Sequence, residues 1–195
     1  SNSDSEDLGA NEIHYIYIDD SAIVSAGTSL LTAASFVNST TAPTFSQSKC
    51  GWYANSGMDR CIGAILTNGS SQVVNFIIRN GLYLYRASVN EFAVAAPPTS
   101  MTALNVASSV PVFSYRCLLS ITMGLDTVTE AYRHFTFSLA ASGYPQAYGI
   151  FMGCEDTTAS IEIPLANGQT CAWKANSDTN TSATIDVSGY YIHDL

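Results

Sequence analysis

At 195 residues the chain can bury a full core, and it is short enough for one β-sandwich or two small β units. Hydrophobic residues make up 47% and charged ones only 12%, so Ser, Thr, Asn, Gly and Tyr stand where Lys and Glu usually do, a surface suited to permanent subunit contacts. A net charge of −9 with seven Lys and Arg leaves little to hold phosphates, and no nucleic-acid partner is expected.

Ser1 to Asp7 is acidic and Ser-rich without an apolar residue, and residues 1–9 read as a flexible tail. There is no basic-then-apolar leader and no initiating Met, which fits a processed product or an excised domain. No apolar run reaches bilayer length, so membrane insertion is not expected. Ile13 to Ile18 predicts a strand, ended by Asp19-Asp20. Ser29 to Val37 is the one credible short helix, with Thr28 or Ser29 as its cap and Thr40 to Pro43 as its stop. Two strands follow, Lys49 to Tyr53 and Arg60 to Thr67, around a turn at Asn55-Ser56-Gly57.

Asn-Gly occurs at Asn68-Gly69, Asn80-Gly81 and Asn167-Gly168, each between apolar runs. Both residues tolerate the positive φ of a type I′ turn, whose twist suits paired strands, so each pair predicts a hairpin. The clearest runs from Val73 to Ile78, turns at Asn80-Gly81, and returns along Leu82 to Tyr85. Pro97-Pro98 separates the halves, because neither proline can lie in a central strand. Beyond the hairpin, strands are predicted at Glu91 to Ala95, Thr102 to Val106, Ser114 to Met123, Tyr132 to Leu139, Ala147 to Cys154, Ala159 to Leu165, Cys171 to Ala175 and Ala183 to Ile192. The fold class is therefore all-β, a β-sandwich or jelly-roll-like fold with at most one or two short helices. Residues 10–96 form an N-terminal β module and 97–195 a C-terminal sandwich, or the two make one continuous domain.

Chemistry is harder to find. His14, His134 and His193 all fall in strand-like alternation, and no nucleophile motif accompanies them. Asp19-Asp20 and Glu155-Asp156 lack a calcium-loop pattern and read as solvated turn residues. No enzyme activity, metal or cofactor is expected. The five cysteines, Cys50, Cys61, Cys117, Cys154 and Cys171, leave at least one unpaired and show no CxxC spacing, which favours a reducing assembly compartment. A Cys50–Cys61 bridge across a hairpin is the one pairing considered. Tyr144 and Tyr148, in an irregular Gly143 to Gly149 loop, and Trp173 are the candidate ligand-binding aromatics, since flat rings with polar tips suit sugar faces and protein surfaces. For Trp52 and Trp173, burial in a core or subunit interface is the competing role.

One stretch resembles a known group. His14-Tyr15-Ile16-Tyr17-Ile18-Asp19, Leu30 to Phe36, Thr40 to Thr44, Gly51-Trp52-Tyr53, Asp59-Arg60, Ile62 to Gly69 and Val73 to Phe76 follow one another in an order similar to a module of tail-fibre and other virion-appendage proteins of tailed bacteriophages. The second half is similar only in style. The resemblance implies a virion structural protein, assembled in the host cytoplasm, whose partners are other virion proteins and its own copies as a homotrimer. A glycan or protein of the host surface is the candidate external partner. It gives Trp52, Asp59 and Arg60 structural roles, the last two fixing the start of a hairpin through hydrogen bonds and partial ion pairing, and it carries over no catalytic residue. The alternatives are a carbohydrate-active β-sandwich enzyme and a secreted lectin-like domain.

Overall fold

Antiparallel pairing accounts for nearly all regular structure in a computed structural model of the chain, which describes residues 6–19, 31–54, 59–125, 133–139, 148–152, 157–177 and 181–192. The strands are rich in β-branched and aromatic residues whose side chains alternate between two faces, and the chain is all-β as its sequence predicts. Two compact units divide it. Unit 1 runs to Val74 and takes in Pro111–Phe113 and Asp194–Leu195; unit 2 comprises Asn75–Val110 and Ser114–His193.

Unit 1 is a five-stranded sheet in the order β2-β1-β5-β4-β3, built from β1 (Ile13–Ile18), β2 (Phe36–Ser39), β3 (Thr44–Ser46), β4 (Gly51–Tyr53) and β5 (Arg60–Leu66). Tyr15, Tyr17, Val37, Cys61, Ala64, Leu66 and Phe113 are among its buried apolar side chains. The helix expected over Ser29 to Val37 does not form in its described part. A single 3-10 turn, Ala33–Ser35, gives way at once to β2. Phe36 and Val37 prefer extended backbone, and the ladder to β1 (Tyr17 opposite Val37, Ile18 opposite Phe36) satisfies their amides; so short a helix would have been marginal in any case.

The tail expected over residues 1–9 is tied down from Glu6. Its N–H donates to Asn38 O (3.1 Å), while its carboxylate accepts from Ser39 Oγ (2.7 Å) and Thr40 N–H (2.6 Å). The Thr40 amide, then the Ser39 hydroxyl, hold the Glu6 carboxyl below its ordinary value of 4.5. A lowered folded pKa gives a tether present above that ordinary value and lost as pH falls through the folded one. The protection factor of the Thr40 amide, its exchange rate relative to the intrinsic rate at each pH, should therefore fall on acidification in the wild type and stay nearly flat with pH in Glu6→Gln. Equal pH profiles would show that the carboxylate does not hold this segment.

Unit 2 holds β6 (Phe76–Arg79), β7 (Leu82–Val94), β8 (Thr102–Asn105), β9 (Ser114–Leu125), β10 (Arg133–Ser138), β11 (Tyr148–Met152), β12 (Thr157–Pro164), β13 (Thr170–Ala175) and β14 (Thr181–Ile192). One sheet has the order β12-β9-β14-β7-β6 and the other β11-β10-β13-β8. Their core is made by Cys117, Leu119, Ile121 and Met123 of β9 and Ile185 and Val187 of β14, with Phe135, Phe137 and Trp173 from the other sheet. Glu91 to Ala95 is not a separate strand. It is the far end of β7, where Phe92 and Val94 extend the ladder opposite Ile185 and Ala183. That ladder also moves the division of the chain. The sequence places the break at Pro97-Pro98, but the β6–β7 hairpin adds to β14, so the break falls at Val74 and Asn75.

The three Asn-Gly pairs diverge. Asn80 and Gly81 have φ of 48° and 76°, as a type I′ turn requires, with Arg79 opposite Leu82. At Asn167-Gly168 the positive angles fall on Gly168 and Gln169 (79° and 54°) in a three-residue loop closed by the Ala166–Thr170 bridge, and the turn carries the chain from one sheet to the other. Asn68 caps a five-residue loop instead. Its side-chain oxygen accepts from Ser70 and Gln72 N–H (2.9 and 3.0 Å), and Thr67 faces Val73.

Candidate functional site

The β3–β4 hairpin of unit 1 places two large aromatics side by side. Thr44, Phe45 and Ser46 lie opposite Tyr53, Trp52 and Gly51, so Phe45 and Trp52 form one cross-strand pair on a single face. Cys50, at φ 49°, helps close the turn. The Phe45 and Trp52 rings meet edge to face at 5.6 Å, Trp52 meets Phe113 at 6.2 Å, and Phe113 meets Tyr15 at 5.9 Å. Each such contact is worth about 0.5–1.5 kcal/mol beyond burial. Burial falls along this row of rings. Tyr15 and Phe113 are core, Trp52 is half-buried, and Phe45 is 54% exposed.

The row is fixed from beneath. Val112 N–H lies 3.4 Å from Tyr15 Oη, and burial raises the pKa of this phenol, so it stays protonated and neutral. Tyr17, raised in the same way, donates to Thr41 O at 2.6 Å, and the buried Cys61 thiol is pushed up to about 11. On the opposite face of the hairpin, Lys49 Nζ stands 4.9 Å from the Tyr53 ring centre. An exposed ring on a rigid support, flanked by Thr44, Ser46, Gln47 and Ser48, offers stacking area with uncharged hydrogen-bonding groups around it. That combination suits a sugar face or a neutral protein surface. Phe45 was missed in the sequence; its alternation with Thr44 and Ser46, opposite Trp52, was the available signal.

The other site residues separate. Trp52 belongs to this platform rather than to a closed core. Asp59 is buried, and its carbonyl accepts from Ala54 N–H (2.9 Å) beside the Tyr53–Arg60 pair; the turn expected at Asn55-Ser56-Gly57 lies outside the described residues. Arg60 is exposed and sits in the ladder opposite Tyr53 and Ile18, with no ion pair among the described residues. Asp19, read as a solvated turn residue, is 5% exposed, and its N–H donates to Ser35 O (3.0 Å). Trp173 is only 1% exposed and packs against Phe92, Phe135 and Phe137 at 5.4, 5.6 and 6.3 Å, which leaves no ring face for a ligand or a subunit contact. Tyr148 begins β11 opposite Phe137, so the backbone there is ladder rather than loop. Tyr144 lies outside the described residues.

Among the described residues, no group of three His, Cys, Asp or Glu is arranged to hold a metal ion. Cys50 is exposed and free, and Cys61, Cys117 and Cys171 are buried and free, so the bridge considered between Cys50 and Cys61 is not made. Burial drives the Cys117 thiol up and Cys171 to about 12, which suppresses the thiolate a nucleophile needs. His14 is fully buried. Asn38 Nδ2 donates both to Glu6 O (2.9 Å) and to His14 Nδ1 (3.0 Å), so Nδ1 is the acceptor and the neutral ring carries its proton on Nε2. Glu91 accepts from Ser108 Oγ (2.6 Å) and from Ser109 Oγ, a carboxylate tying down a loop.

No protein-family model matches the chain, and no curated protein matches it.

Proposed function

We propose that this chain is a non-enzymatic structural domain of a bacteriophage virion, in a tail fibre or another appendage, with the Phe45–Trp52 platform facing a host surface glycan or protein. The observation that carries the reading is the strand order of unit 2. Strands β7 to β14 fall into two four-stranded layers, β12-β9-β14-β7 and β11-β10-β13-β8, with β6 added at one edge. The chain changes layer at each connection except that between β10 and β11. This order supports a jelly roll, the two-layer architecture that viral capsid and lectin domains use. The resemblance from His14 to Phe76 supports the appendage assignment, and three copies around one axis are the assembly it implies. The low charge suits such contacts, because few ionised groups need be desolvated.

The test combines adsorption and turnover. Purified chain should compete with virions for host-cell envelopes. Phe45→Ala should weaken that competition at least about tenfold while shifting stability by under about 1 kcal/mol, because its ring is half in solvent. Host glycans or peptidoglycan incubated with the chain should show no gain in reducing ends. Polymer cleavage that disappears on changing a single Asp or Glu would overturn the structural reading, and unchanged competition by Phe45→Ala would remove the platform from it.

A further inference from the structure

The two outer strands of the five-stranded sheet in unit 2 are built differently. β12 presents Thr158, Ser160 and Glu162 to solvent and ends on Pro164, which has no N–H to offer. Polar side chains, a charge and a proline are the usual means of blocking an edge against another strand. β6 has no such guard. Its sequence is Phe-Ile-Ile-Arg, with Ile77 44% and Ile78 53% exposed, one on each face. The apposed sheet has four strands against five, and β6 is the additional strand beside β7.

The backbone shows what this edge can accept. β6 pairs with β7 alone. Asn75 C=O accepts from Arg86 N–H (2.9 Å), and Arg79 stands opposite Leu82 next to the two-residue turn, so residues 75, 77 and 79 aim their polar groups at β7. Alternation turns the N–H and C=O of Phe76 and Ile78 the other way, where they have no partner among the described residues. These are two donors and two acceptors at strand spacing.

We propose that β6 is a self-pairing edge, joining two copies of this chain antiparallel across a twofold axis that passes beside Ile77. In this register Ile77 meets Ile77 of the second copy, and Phe76 and Ile78 exchange both backbone hydrogen bonds with Ile78 and Phe76 of that copy. Every outward-pointing amide of the strand is satisfied, and each cross-strand pair in the centre is apolar on apolar. Charge is compatible as well: Arg79, the one ionised side chain in β6, falls opposite the neutral Asn75 of the second copy rather than its own image. A twofold contact needs one patch that complements itself, and this strand does so only when centred on Ile77. Centring on Ile78 would pair that residue with itself and set Phe76 against the turn residue Asn80, which leaves the outward ladder half used. Four residues of edge bury well under the ~1,200 Å² of a standard stable interface, so the pairing is weak and concentration-dependent in the isolated chain. It is separate from any threefold contact, which cannot be isologous.

Crosslinking tests the register directly. Non-hydrogen-bonded antiparallel pairs hold their Cα atoms about 4.5 Å apart, within the roughly 4.4–6.8 Å range a disulfide spans. In a Cys50→Ser background, which removes the one thiol exposed among the described residues, Ile77→Cys should oxidise to a disulfide-linked dimer. Ile78→Cys, facing Phe76 of the other copy, should link at least tenfold less, and the Cys50→Ser parent should stay uncrosslinked. Both isoleucines are exposed, so neither change threatens folding. By sedimentation, Ile77→Lys should lower the self-association constant at least tenfold at unchanged melting temperature. Equal crosslinking at both positions, no crosslinking at 77, or self-association indifferent to Ile77→Lys would overturn the proposal.

Discussion

Replacing Trp173 with alanine is expected to lower the unfolding free energy by about 3–5 kcal/mol, the cost of deleting a fully buried large aromatic from a core that can only partly collapse. The ring sits where the two sheets of unit 2 meet, in contact with Phe92 of β7 and with Phe135 and Phe137 of β10. Its loss removes transfer free energy, three aromatic contacts and the filler of the space between layers. Urea unfolding followed by far-UV circular dichroism measures this, because unit 2 holds nine of the fourteen strands among the described residues. Trp173→Phe should recover more than half of the loss by keeping a ring in place. A loss below about 1 kcal/mol for the alanine variant would match a surface change and contradict the core position.

Gly189→Ala is expected to be nearly as damaging, through crowding instead of a void. Gly189 lies in β14, between β7 and β9, at an irregularity in both ladders. A methyl group there would press on the backbone of β7, against the Tyr83 carbonyl oxygen and 3.2 Å from Leu84 Cα. Backbone in a paired strand cannot step aside as a flexible side chain can, so a loss of about 1–3 kcal/mol or more is expected, together with displacement of the bulge. Gly168→Ala is the internal comparison. It has open space around it but a φ of +79°, and should cost about 1–2 kcal/mol through backbone strain alone. If thermal melts place Gly189→Ala at or above wild type, the close approach of β14 and β7 is wrong.

The site was less legible than the strands. Trp173 and Phe45 illustrate the difficulty from opposite sides: alternation puts each on one face of its strand but does not say whether that face is covered. Phe137 and Phe92 cover Trp173, coming from parts of the chain about 36 and 81 residues away by the sequence numbering. Phe45 lies on an edge strand, where only its partner Trp52 shields it. The short helix failed for a related reason. Its propensity was local, whereas the ladder that displaced it runs between β1 and β2 across an intervening segment.

By itself the sequence determined most of the strand positions, β2 and β3 excepted, together with the type I′ turn at Asn80-Gly81 and the all-β class. These depend on side-chain alternation and on which residues accept positive φ, both properties of neighbours in the chain. Only the tertiary structure decided that the hairpin belongs to unit 2, that Glu91 to Val94 continue β7, that Trp173 is sealed and Phe45 open, and that one sheet edge is guarded while the other is bare. Each of these depends on which strand lies alongside, and long-range pairing is set by the fit of whole faces across large loops rather than by any local signal.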